Sequence, residues 1–125
     1  MDKEKLIKDI IKSAYDVRKH FMAGYLESVY RNALVVDLKS KGLNVRTEMP
    51  IEVRYKNELV GEFRADIVVE DLIIIELKSV NNLLPIHEAQ LVNYLVATGI
   101  EDGLLINFGG DKIDIKRKYK TYKKN

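Results

Sequence analysis

Two short β-rich runs, Ile67-Val68-Val69 and Leu72-Ile73-Ile74-Ile75, are separated only by Glu70-Asp71 and bracketed by Asp66 on one side and Glu76-Leu77-Lys78 on the other. Runs this short and this rich in β-branched residues belong in the strands of a buried sheet, where a carboxylate is costly. The acids at their ends therefore need a purpose. Period 2 along a strand puts Glu76 and Lys78 on one face, roughly 6.5–7 Å apart. If the runs form a hairpin with Asp66 facing Glu76, the connection is a three-residue loop centred on Asp71. A two-residue turn at Glu70-Asp71 would pair Asp66 with Ile75 and send Glu76 to the other face. The longer loop, or a bulge, is expected, because it gathers two carboxylates and an ammonium into a hard-oxygen site for a divalent cation.

Around this hairpin the pattern changes from helical to alternating. Leu6, Ile10, Ile11, Ala14 and Val17 predict an amphipathic helix over residues 3–20, and Gly24 permits a break after it. A second helix is expected from Tyr25 to Lys41, stopped by Gly42. Apolar residues cover most of its circumference, so it should be largely buried across the sheet. Leu43, Val45 and Thr47 suggest a short strand punctuated by Pro50, and Ile51 to Tyr55 alternates cleanly. Lys56-Asn57-Glu58 reads as a turn into Leu59 to Val69, with a bulge or bend at Gly61. Pro85 suits the first turn of a helix running to about Thr98, with Gly99 as its stop. Gly103 to Phe108 reads as a buried strand and Lys112 to Lys118 as an edge strand. The expected fold is α/β, a mixed sheet flanked by helices in ααβββαβ-type order.

At 125 residues the chain is expected to form a single domain, 1–125, with a basic tail from about 116. No apolar run approaches the ~20 residues of a membrane span. The charged start argues against a signal peptide, and with no cysteine there is neither a disulfide framework nor a zinc–thiolate site. A cytoplasmic location is the default expectation. Net charge is only +2, but residues 111–125 carry seven Lys/Arg against two Asp, so the remainder is net acidic.

Asp66 followed by Glu76-Leu77-Lys78 resembles the Asp…Glu-x-Lys core of the PD-(D/E)xK nuclease superfamily, with Ala65 where that motif usually has proline. Gly24-Tyr-Leu-Glu27-Ser-Val-Tyr30 is similar to the signature of the small GxxExxY proteins of that superfamily. Gln90-Leu-Val-Asn-Tyr94 resembles the Q-x-x-x-Y motif of its RecB-like branch. The resemblance implies a restriction-endonuclease-like fold and a metal-dependent nuclease, with DNA favoured over RNA as substrate and no membrane partner. It implies Mg²⁺ or Mn²⁺ held by Asp66, Glu76 and the Leu77 carbonyl, with Glu27 reaching the metal directly or through water. Lys78 would position or deprotonate the attacking water, and Gln90 and Tyr94 would line the cleft.

Each of these residues also has a plainer reading. Glu27 can pair with Arg31 one turn along, and Glu76 with Lys78 as a same-face ion pair. His87, placed here among the nucleic-acid contacts, is at a helix start where a histidine is commonly structural. Lys116, Arg117, Lys118 and Lys120 interleave with Tyr119 and Tyr122 as a phosphate-tracking arm with rings for stacking, or simply form a solvated charge run. The competing functional class is a nuclease-like fold that only binds nucleic acid or another protein. An unpaired edge strand also offers a route to a homodimer.

Overall fold

Asp2 starts the first helix, its side chain accepting the N–H groups of Glu4 and Lys5, and α1 then runs Lys3–His20. In this computed structural model residues 1–121 are described; Tyr122 and the lysines of the expected basic arm beyond it lie outside them. After α1 come α2 (Glu27–Ser40), β1 (Val45–Tyr55), β2 (Glu58–Val69), β3 (Ile73–Lys78), α3 (Pro85–Thr98), β4 (Asp102–Asn107) and β5 (Asp114–Tyr119). The five strands form one sheet in the order β1-β2-β3-β4-β5. All neighbours are antiparallel except β3 and β4, the parallel pair that α3 connects as a crossover.

The helices divide the faces. Leu6, Ile10, Ala14 and Val17 of α1 and Tyr30, Leu34 and Leu38 of α2 pack on Ile73, Ile75, Leu77, Leu104 and Ile106. On the other face Leu91, Tyr94 and Leu95 of α3 cover Val68, Ile74 and Leu105. Strands β3 and β4 are thus buried on both sides, which explains their near-continuous apolar sequence. Among the described residues no helix is long and apolar enough to cross a membrane.

Two local expectations are corrected. Pro50 does not interrupt the first strand, since β1 is continuous through it and pairs Pro50 with Arg64. A proline is tolerated there because β1 is an edge strand. Helix α2 is not largely buried either, with Val36 71% exposed and Leu26, just before its first turn, 77% exposed. The stripe Tyr30, Leu34, Leu38 is fully buried against the sheet and α1, with Ala33 and Val35 partly buried beside it. Near Gly61 the β1–β2 register does shift, between Val53 and Arg54.

Candidate active site

The β2–β3 ladder is shorter than its strands. It pairs Ile67 with Ile75, Val68 with Ile74 and Val69 with Ile73, leaving a three-residue connection of Glu70, Asp71 and Leu72. Glu70 and Asp71 both take left-handed backbone (φ 55°), and the Leu72 N–H donates to the Val69 carbonyl at 2.9 Å. This register sets Asp66 opposite Glu76 just past the last ladder pair, where the strands part. Parting frees backbone donors that a buried sheet cannot leave unpaired, and the acids accept them. The Asp66 N–H donates to Glu76 Oε1 at 3.1 Å, and the Leu77 N–H donates to Asp66 Oδ2 at 2.8 Å.

Strand β2 rolls over at the same point. Ala65 packs in the α3-side cluster, whereas Ile67, two residues on, packs under α1 and α2. Across from this roll Glu48 of β1 takes φ 49°. The twist therefore brings Asp66 to the mouth of the fork, half-buried, beside a Glu76 that is only 6% exposed.

The start of α2 is fixed above this mouth by its tyrosine. The Tyr30 hydroxyl donates to the Met22 carbonyl and accepts the Tyr25 N–H, closing a turn in which Gly24 takes φ 113°. Tyr25 returns its carbonyl to the Ser79 hydroxyl at 3.0 Å, tying the turn to the residue after Lys78. The Gly24, Glu27, Tyr30 spacing thus has a mechanical meaning: a turn that favours glycine, an anchor, and between them an acid in the first helical turn. Glu27 is exposed at the rim.

Electrostatics unite these groups. Burial, and then the charge of Asp66, push the Glu76 carboxyl up to about 9. Partial desolvation at the rim, followed by the Asp66 charge, raises Glu27 as well, with Lys78 and Arg31 pulling it back. Burial raises the Tyr94 phenol too, assisted by the charges of Glu76 and Asp66. Glu27, Asp66, Glu76, Lys78 and Tyr94 therefore share one electrostatic environment. Gln90, one helical turn before Tyr94, is half-buried on α3.

Lys78 is held by a backbone brace that the sequence did not announce. Phe108 N–H donates to the Lys78 carbonyl at 2.9 Å. The Asn107 amide accepts the Val80 N–H at 3.0 Å and donates to the Val80 carbonyl at 2.9 Å, continuing the ladder with a side chain. Gly109 lies so close that a Cβ there would stand 2.4 Å from Val80 N. The signal available in the sequence was an asparagine closing an apolar run, Leu104 to Ile106.

The other expected contacts are on α3 and on or after β5. His87 Nδ1 accepts the Leu84 N–H at 3.0 Å, closing the start of α3. Lys116, Arg117 and Lys118 belong to β5. Arg117 donates to Glu4 and to the buried Asp102, which Lys3 also meets at 2.8 Å. Lys118 pairs with Glu88 at 3.0 Å, and Lys120 follows β5, its N–H donating to the Glu101 carbonyl. Asp102 pairs with Ile73, at the end of β3 away from Glu76.

The donor set suits a hard cation. Two abutting carboxylates, one of them driven towards its neutral form by the other, carry repulsion that a divalent ion relieves. The Leu77 N–H faces the fork, and in an extended strand the C=O of the same residue points to the same side. That makes two carboxylates and a carbonyl, a number that fits Mg²⁺, which keeps several waters. Glu27 stands at the rim beside this set, its carboxyl sensing the charge of Asp66.

A model of the family described as the PD-(D/E)XK nuclease superfamily matches residues 4–119. The solved structure of SSO0001 superposes with a TM-score of 0.60 at 24% identity, covering 77% of this chain and 50% of that protein, a likeness of fold. The chain thus matches about half the length of that protein. No curated protein matches the sequence.

Proposed function

From the premise that the chain belongs to the PD-(D/E)XK nuclease superfamily, we propose that it is a Mg²⁺- or Mn²⁺-dependent nuclease whose working residues are Asp66, Glu76 and Lys78. The observation that carries this reading is the fork. Asp66 and Glu76 are crossed by reciprocal backbone bonds at 3.1 and 2.8 Å, two residues from a braced lysine. A divalent cation held there supplies charge neutralisation at a phosphate and eases deprotonation of an attacking water.

The chain's own groups account for the rest. Asp66 and Glu76, pinned by the N–H groups of Leu77 and Asp66, each keep an oxygen outside these bonds that would ligate the cation. Lys78 places an ammonium on the Glu76 face of β3, where it stabilises charge growing on the phosphate and orients the water. Attack at phosphorus forms one P–O bond and breaks the other, and the leaving oxygen takes a proton from solvent. Glu27 adds negative charge at the rim, and Tyr94 with Gln90 walls the cleft on the α3 side. DNA is the first substrate to test.

The test is incubation with linear, circular, single-stranded and branched DNA, and with RNA, in Mg²⁺, Mn²⁺ or EDTA, beside Glu76→Gln. Metal-dependent cleavage lost in the variant is the expected result. Wild type and variant equally inert on every substrate, both folded and binding nucleic acid alike, would replace the enzyme with a binding module.

A further inference from the structure

Phe63 precedes Asp66 by three residues on β2, so the two lie within about 10 Å along the strand. Its ring tilts 38° against that of Tyr94, with centroids 5.5 Å apart. Tyr94 is 7% exposed and senses the charges of both fork acids, whereas Phe63 remains 44% exposed. Phe63 and Val96, which is 54% exposed, together leave an apolar surface open to a ligand. Packing over Gly61 and against Tyr94 accounts for part of the ring only.

The open side of Phe63 faces a groove of about 660 Å³ between the β1–β2 hairpin and α3, walled by Val53, Val96 and Ala97. Its charged members, Glu52 and Arg54, neutralise one another at 2.9 Å. This is poor lining for a phosphate backbone and good lining for a flat apolar ring. Several of the cations elsewhere are engaged within the chain: Arg117 with Glu4 and Asp102, Lys118 with Glu88, Arg46 with Asp71. Duplex binding depends on neutralising many phosphates, whereas single strands gain much of their affinity by stacking bases on exposed aromatic rings. Bases in a duplex are already stacked on one another and cannot reach such a ring.

We propose that the Phe63 groove is a base-binding subsite, and that the substrate class is single-stranded or frayed nucleic acid with one unpaired base stacked on Phe63 while its phosphate lies at the fork. The location of the phosphate rests on the nuclease reading; the stacking surface does not.

Because the chain has no tryptophan, Phe63→Trp installs the chain's single tryptophan in the groove, to be excited selectively over the tyrosines. Titration in EDTA with a thymine oligonucleotide and with a blunt duplex of equal length reads stacking as quenching. The expected result is quenching by the single strand alone. Phe63→Ala should weaken single-strand binding by about tenfold or more without changing duplex binding, with Val60→Ala on the same hairpin as a neutral control. Equal quenching by both ligands, or unchanged single-strand affinity in Phe63→Ala, overturns the subsite. The two readings fail separately. Selective quenching in a protein inert with Mg²⁺ keeps the subsite and removes the nuclease, whereas metal-dependent cleavage with Phe63→Ala as tight as wild type does the reverse.

Discussion

Tyr30 lies flat on Phe108, ring centroids 4.7 Å apart and only 7° from parallel. The stack joins the anchor of the Gly24 turn to the residue whose N–H holds the Lys78 carbonyl, so the helix bearing Glu27 and the strand bearing Lys78 share one buried contact. Tyr30→Phe keeps the stack and deletes the hydroxyl that bridges Met22 and Tyr25. We expect a loss of about 1–2 kcal/mol in denaturant unfolding and a further drop in cleavage as Glu27 loses its fixed turn. An unfolding midpoint equal to wild type would refute the anchor.

Glu76 makes metal-free stability fall with pH. Its folded value is raised from 4.5 to about 9, so the folded protein holds a proton that the unfolded chain releases. That contribution is full below about 4.5 and is lost as pH rises through about 9. In EDTA the melting temperature should therefore decline between pH 5 and 9. Glu76→Gln, which can still accept the Asp66 N–H, should flatten the decline. Added Mg²⁺ at pH 8 should raise the wild-type melting temperature more than that of the variant.

On the proposed nuclease reading, Lys78 serves the reaction rather than the fold. Half-buried at the end of β3, it is held through its backbone, which substitution preserves. Lys78→Ala should reduce the cleavage rate by about 10²-fold or more while Mg²⁺ binding, read by calorimetry, persists. Lys78→Arg should rescue poorly, because a planar guanidinium does not reproduce a compact ammonium.

The basic residues of the last strand should separate by role. Arg117→Ala leaves buried Asp102 with Lys3 alone and should cost about 2 kcal/mol of stability, with little effect on nucleic-acid affinity. Lys116→Ala and Lys120→Ala should show the opposite, lowering the slope of log affinity against log salt by about one for each phosphate contact removed. Parallel unfolding and binding titrations distinguish the two groups.

Local signals carried far in this chain. Pro85 and Gly99 bound α3 because one suits a first helical turn and the other accepts left-handed backbone, φ 78°. The hairpin register was legible because only one loop length sets Asp66 against Glu76. What escaped the sequence depends on partners distant along the chain. Pro50 looked like an interruption because edge position is a property of the assembled sheet. Val36 looked buried because a helix wheel does not say which faces receive neighbours. Arg117 looked like part of a free basic arm, but its partners, Glu4 and Asp102, lie 113 and 15 residues away.

The cluster of Lys3, Glu4, Asp102 and Arg117 also sets an order of events during synthesis. Lys3 leaves the ribosome well before Arg117, yet both close on the same buried carboxylate. While the nascent chain lacks β5, Asp102 has only half its counter-charge, and the edge of β4 that β5 covers lies open to other strands. Chains released before Arg117 should carry that exposed edge and under-compensated acid into the cell, the kind of unfinished surface that chaperones and proteases recognise.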